Sequence, residues 1–180
     1  MKIHGLRFNP YLLPLAVVCF AGGCQSTGDN PKKLESAFRA HIEAPGGPAG
    51  GGQPVQVFRS NPLSLEVQPS PFLTEVNVKA ARVIDVVGGF VIELQFDRTG
   101  TFLLEQYTSS NVGRHLLLFG AFGAKQKDTP QPNRWLAAPL ITSRIADGKL
   151  VFTPDASRAE AELFVAGLRN LAKKYQDKEE

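Results

Sequence analysis

Two alternating runs around a pair of adjacent glycines constrain this chain most. In Phe90 to Phe96, the residues Phe90, Ile92, Leu94 and Phe96 fall on one side of an extended chain, while Val91, Glu93, Gln95 and then Asp97 fall on the other, because successive strand side chains point to opposite faces. The run Ala81 to Val87 precedes it, and Gly88-Gly89 between them tolerates the positive dihedrals of a two-residue hairpin. The predicted unit is an antiparallel hairpin with one buried face. Shorter runs surround it. Val55 to Phe58 is followed by Leu63, Leu65 and Val67 alternating with Ser64, Glu66 and Gln68, with Asn61-Pro62 and Pro69 to Pro71 as punctuation. His115 to Phe122, Trp135 to Thr142 and Lys149 to Thr153 read as further strands, the last two joined through Asp147-Gly148.

Helical spacing interrupts these runs twice. Arg98 to Val112 offers Leu103, Leu104, Tyr107 and Val112 to an inner side, and Gly113 is placed to end the helix in a left-handed conformation. The final helix opens on a capping-box pair, Ser157 and Glu160, and carries Phe164, Leu168, Leu171 and Tyr175 along one stripe. Lys173 and Lys174 complement its C-terminal dipole. Strands in excess of helices, joined by short turns, predict an α+β domain: a mostly antiparallel sheet with helices packed on one face, over residues 55–177.

The first 23 residues predict a different fate. Lys2 and Arg7 precede the charge-free stretch Pro10 to Phe20, and small residues Ala21, Gly22 and Gly23 lead to Cys24. The apolar stretch is about half the ~20 residues needed to span a bilayer and contains Pro14, which suits a removed export signal better than a permanent helix. Ala21-Gly22-Gly23-Cys24 resembles the lipobox of bacterial lipoproteins, although such boxes usually start with Leu. The resemblance implies cleavage before Cys24 and a diacylglyceryl group on its thiol. Two or three acyl chains, at about 0.8 kcal/mol per buried methylene, would make that anchor effectively permanent. Cleavage would discard Cys19 and lipidation would consume Cys24, leaving no thiol for a disulfide or a nucleophile. Gln25 is not the Asp of inner-membrane retention, so the expected address is the periplasmic side of a bacterial membrane, the outer membrane favoured.

Between anchor and domain, residues 24–54 read as a flexible tether. Pro31 to Glu43 places Leu34, Phe38 and Ile42 at four-residue spacing and predicts a short helix over 31–43. Ala44 to Pro54, APGGPAGGGQP, cannot pack a core and reads as linker. The ~30 residues would reach on the order of 30 Å as a coil.

The composition carries little chemistry. Without Lys2 and Arg7 the chain has 18 basic against 17 acidic side chains, so no electrostatic footprint for nucleic acid is present. His41 and His115 have no second His or Cys at a ligand spacing, which predicts no metal site. Ser109 or Ser110, His115 and Asp97 lack a nucleophile-elbow motif, and serines near a helix end serve more often as caps. Gly46-Gly47 and Gly50 to Gly52 lack a Walker lysine. No catalytic residue and no cofactor are expected. Two residues stand as candidates for partner binding. Arg114, after the Gly113 stop, has five donors that suit either an anionic partner or helix-end carbonyls. Trp135, bordering the polar loop Lys125 to Asn133, reads either as an exposed aromatic anchor or as a strand residue facing the core.

Over about residues 73–172 the sequence resembles the head of the large periplasmic domain of SecD, part of the SecDF accessory complex of protein export. The matching features are Phe96, Asp97 and Gly100 at the strand-to-helix junction, Asn111-Val112-Gly113-Arg114 at the helix end, Leu116 to Phe119, and Ala138-Pro139-Leu140-Ile141. Ser157, Glu160, Ala161, Phe164, Val165 and Leu168 match the closing helix. The departures are an insertion from Gly120 to Arg134 in place of an Asp-Gly turn, and no membrane-spanning stretch with intramembrane ionisable residues, so proton-driven motor activity is not expected. The resemblance implies a detached head domain that contacts unfolded translocating polypeptide. The expected function is a non-enzymatic interaction module, held at the membrane by its lipid, that binds exported polypeptide or an envelope protein. The alternative is a structural lipoprotein of an envelope or secretion complex that binds no client.

Overall fold

The computed structural model describes residues 34–46, 51–123 and 131–176. The leader, Cys24, residues 47–50 of the linker and residues 124–130 of the polar insertion lie outside the described residues. Among the described residues nine strands and two α-helices follow one another as β1 (Ala37–Ile42), β2 (Gln53–Val57), β3 (Leu63–Val67), β4 (Leu73–Thr74), β5 (Val78–Val86), β6 (Gly89–Phe96), α1 (Arg98–Ser110), β7 (Leu116–Ala121), β8 (Asn133–Ala137), β9 (Lys149–Phe152) and α2 (Arg158–Gln176), with a 3-10 turn at Glu75–Asn77. Every strand pair is antiparallel. The fold is α+β, as the alternation of runs implied.

The strands form three sheets rather than one: β4-β1-β7-β8, the hairpin β2-β3, and β5-β6-β9. The β5-β6 hairpin has its expected inner face, with Ile92, Leu94 and Phe96 buried. Its turn is shifted by one residue. Val86 pairs with Gly89, so Val87-Gly88 closes the loop. Only Gly88 of that pair takes a positive φ, 88°. Residues 138–142, expected within a strand, lie past the end of β8, where Pro139 has no N–H to give a ladder. Asp147-Gly148 does not join two paired strands either. β8 and β9 belong to different sheets, and Gly148 instead gives its carbonyl to the Phe96 N–H at 2.9 Å.

Where it is described, the segment read as a tethered helix over 31–43 instead contributes β1, an inner strand of the largest sheet. β1 runs beside β7 from Ala37 opposite Ala121 to Ile42 opposite Leu116, and its other edge pairs with β4 through Arg39 and Ala40. Leu34, Phe38, Ala40 and Ile42 are buried. A spacing of four residues keeps side chains on one face in both geometries, since four is a multiple of the strand period and close to the helical one. Ladders on both edges and burial on both faces decide for the strand, where a 12-residue helix alone would be marginal. The folded domain therefore begins by Leu34, twenty-one residues before the boundary expected at Val55. Gln53 and Pro54, read as linker, already belong to β2.

The main core lies between the four-stranded sheet, the three-stranded sheet and the two helices. Phe38, Leu73, Ile92, Leu94, Leu104, Leu116, Leu118, Leu136 and Phe164 meet there. Burying each such side chain contributes roughly 1.5–3 kcal/mol. α1 is capped at its start by Asp97, whose Oδ1 accepts from the Gly100 N–H at 2.6 Å. It stops at Asn111, so Val112 falls outside the helix and is exposed rather than inward. α2 has the expected capping box: Ser157 N–H donates to Glu160 Oε2 at 2.8 Å, and Glu160 N–H to Ser157 Oγ at 3.3 Å. On the opposite face of the four-stranded sheet the β2-β3 hairpin covers a smaller cluster of Val57, Val67, Leu117 and Ala138.

Candidate functional site

The two sheets part along β8 and β9, each the last strand of its sheet. They are held together by a bond from the N–H of Asp155, just past β9, to the carbonyl of Leu136 within β8, at 2.6 Å. Between them lies a groove of about 700 Å³. Its floor is Val91, Val151 and Phe152, its flank Ala137 to Pro139, and its far wall Phe58, Ser60 and Asn61 beyond the end of β2.

Each wall has a local cause. Val91 and Val151 stand on the face of the three-stranded sheet that Glu93 shares, where alternation ought to place polar residues. Phe58 has φ of 69° and is the one non-glycine residue with positive φ among the described residues. For a bulky side chain this is a strained conformation that persists only where its surroundings hold it. Arg59 supplies that hold. Its N–H donates to Asp155 Oδ2 at 2.9 Å, its Nε lies 3.3 Å from the same carboxylate, and its guanidinium reaches Glu160 at 3.9 Å. Glu160 also pairs with Arg134 of β8. Burial pushes the Glu160 carboxyl up, but bonds from Ser157 and Arg134 outweigh it and hold the group below its ordinary value. The charged network thus fixes the hairpin against both sheets and leaves Phe58 half-exposed over the groove.

The free edge of β9 adds a second property. Among the described residues β9 pairs with β6 on one side only, over Gln95–Lys149 to Ile92–Phe152. An unpaired strand edge presents backbone donors and acceptors in a row, a template for another extended chain. Val151 on this strand is 51% exposed, an apolar residue half in water beside unpaired backbone. Apolar walls with a ready strand edge suit a peptide better than a small polar substrate.

The structure does not bring the residues singled out from the sequence into this groove. Arg114 sits at the end of α1, where its N–H donates to the Asn111 carbonyl at 3.1 Å, its guanidinium to Asn111 Oδ1 at 3.3 Å, and its carbonyl accepts from Ile141 N–H at 2.9 Å. Trp135 is sandwiched edge-on by His41 and Phe119, with ring centres 5.4 and 5.5 Å away, and packs against the small cluster beneath β2-β3. His41 is buried and donates from Nδ1 to the Gln68 carbonyl at 2.8 Å; burial pushes its pKa down despite that bond. His115 contacts Glu43 rather than a serine: the Glu43 carboxylate accepts from the His115 backbone at 2.8 Å and from its ring at 2.7 Å. Asp97 caps the far end of α1, about 20 Å along a 13-residue helix from His115. Ser109 bonds the Gln106 carbonyl at 2.9 Å. The serine, histidine and aspartate therefore do not meet. Among the described residues no three His, Cys, Asp or Glu side chains are grouped to hold a metal ion, and no helix is long and apolar enough to cross a membrane.

Sequence reasoning missed Phe58, Val91 and Val151. Val91 did carry a signal, as an apolar residue alternating with Glu93 and Gln95 on a face otherwise wet. For Phe58 the signal was its position directly before the turn sequence Arg59-Ser60-Asn61-Pro62.

No protein-family model matches the sequence, and no curated protein matches it significantly. Solved structures do. One is SecDF, described as a membrane component that enhances protein export: 18% identity, TM-score 0.53, 77% of this chain against 64% of that one. Another is SecDF in a super-membrane-facing form: 20% identity, TM-score 0.55, 77% of this chain against 19% of that one. This chain thus spans less than two thirds of each. At such identities the likeness establishes the fold, and in fold the chain is similar to the SecD region that its sequence resembles.

Proposed function

We propose that this chain is a non-enzymatic, lipid-anchored module on the periplasmic side of a bacterial membrane, the outer one favoured, that holds extended segments of exported polypeptide in the groove along β9. The observation that carries the reading is the free edge of β9 beside an apolar groove. An incoming segment would pair its backbone with β9 and lay alternate side chains on Val91, Val151 and Phe58. Backbone pairing is indifferent to sequence, which suits a binder of many unfolded clients, while the apolar walls reject folded, polar surfaces. The fold shared with SecDF supports a place in protein export, and Cys24 supports the anchor.

The test is site-specific photocrosslinking with benzoylphenylalanine at Val151, at Phe58 and, as an exposed control outside the groove, at Val112. An unfolded secretory precursor should crosslink at the first two positions and not at the third. Val151→Asp, compared with the wild type at matched circular dichroism because it faces Glu93 across the strands, should weaken precursor binding about tenfold. Equal crosslinking at all three positions, or unchanged binding by Val151→Asp, overturns the reading. A single stoichiometric partner captured in crosslinked cells, with no precursors, would replace it by the structural-lipoprotein alternative.

A further inference from the structure

A second recess, of about 390 Å³, lies at the opposite edge of the three-stranded sheet, where β5 meets α2, and its chemistry is opposite to that of the apolar groove. Lys79, Arg82, Arg169 and Lys173 line it with a single carboxylate, Glu93. Arg82 spends its charge on Glu93 across the strands, at 2.6 Å. Lys79, Arg169 and Lys173 pair with no carboxylate among the described residues. Two features of the backbone hold these cations in place. The β5-β6 register slips between Val78 and Ala80, leaving Lys79 as the extra residue of a bulge, and a bulge re-aims the side chain it carries. Arg169 is fixed by a bond from its Nε to the Ala81 carbonyl at 2.7 Å. The last turns of α2 add the negative end of the helix dipole, which favours cations there.

The same corner of the domain receives the chain from its N-terminal side. Asn170 Nδ2 donates to the Leu34 carbonyl at 3.0 Å, and Lys174 lies 3.5 Å from Glu35. These are the immediate sequence neighbours of Arg169 and Lys173. Cys24 lies ten residues before Leu34, and ten residues span at most about 35 Å even when fully extended. A lipid on Cys24 would therefore hold this corner within about 35 Å of the headgroups.

We propose that Lys79, Arg169 and Lys173 form a docking site for the phosphodiester headgroups of anionic phospholipid, which turns the domain so that its α2–β5 corner faces the bilayer. The proposal rests on the anchored reading of Cys24. The anchor sets the distance and the three cations set the orientation. Each cation near an anionic surface contributes about fivefold to the partition, an effect that fades within about 8 Å at physiological salt.

The full processed chain is mixed with vesicles of phosphatidylcholine alone or with phosphatidylglycerol added. Flotation on the neutral vesicles reads the anchor. Acylation of Lys79 and Lys173 by a hydroxysuccinimide ester, followed by mass spectrometry, reads the docking. The expected result is flotation on both vesicles, with labelling of both lysines reduced at least threefold on the anionic ones and restored by 0.5 M salt; Arg169→Gln should return the labelling most of the way to the level on neutral vesicles. Equal labelling on both vesicles, with flotation intact, overturns the docking and leaves the anchor standing. Protection on neutral vesicles by inorganic phosphate alone overturns the lipid as occupant. Failure to float on neutral vesicles overturns the anchored reading instead.

Discussion

Replacing Phe38 with alanine separates two physical pictures of the N-terminal segment. In a tether, Phe38 would touch little, and its truncation would change stability within about 0.5 kcal/mol, as surface substitutions do. In the structure the ring is fully buried, its centre 6.0 Å from that of Phe96, on a strand paired along both edges. Truncating a buried phenylalanine costs about 3–5 kcal/mol, because the transfer energy is lost and a cavity remains. Against a total stability of about 5–15 kcal/mol for a domain, that is a large fraction. With a urea slope of about 2 kcal/mol per molar, the midpoint should fall by about 1.5–2.5 M. Trp135, the single tryptophan and a packed one, reports the transition by fluorescence, and far-ultraviolet circular dichroism should trace the same curve. Phe38→Leu, which keeps most of the volume, should cost less than about 1.5 kcal/mol. A midpoint shift below about 0.3 M for Phe38→Ala would refute the placement of this segment in the core.

Gly167→Ala should destabilise the domain by roughly 1–3 kcal/mol in the same urea assay, although alanine normally favours a helix; the added methyl would meet Ser36 Oγ and lie 2.7 Å from the Ser36 backbone nitrogen. Stability should fall as the pH drops below about 5. Burial raises the Glu43 carboxyl, but bonds from His115 and the nearby Arg114 charge outweigh it and hold the group, like Glu160, below its ordinary value; carboxyls depressed in the folded state contribute stability at neutral pH that is lost as they protonate. Thermal melts from pH 7 to 3 should show a flatter decline for Glu43→Gln and Glu160→Gln, and an unchanged slope in both would contradict the assigned bonds. Cys24→Ala should abolish incorporation of labelled palmitate in cells, whereas equal labelling of variant and wild type would disprove lipidation.

Elements whose signals lie within a few residues were legible from the chain alone. The β5-β6 hairpin, the Asp97-capped α1 stopped before Gly113 and the Ser157–Glu160 box of α2 each follow from contacts that neighbours in sequence make with each other. β1 was not legible. Leu34, Phe38 and Ile42 fit a helix and a strand equally, and the choice came from β7, whose pairing residues lie more than seventy positions away. The division into three sheets was hidden for a related reason, since β8 and β9 are successive in sequence yet each takes its partner from an earlier strand. The Trp135 ring had two readings from the sequence, and its packing, partly buried against His41, Phe119 and the β2-β3 hairpin, depends on residues far from it in the chain.

Local periodicity, turn chemistry and capping thus determined which segments become strands and helices, because those preferences are written in residues three or four positions apart. Which strand edges stay open, that Phe58 meets Val91 and Val151 over one groove, and that three cations gather beside the arriving chain were decided only in three dimensions. Each depends on partners brought together by burial, and a linear pattern holds no record of who is buried against whom.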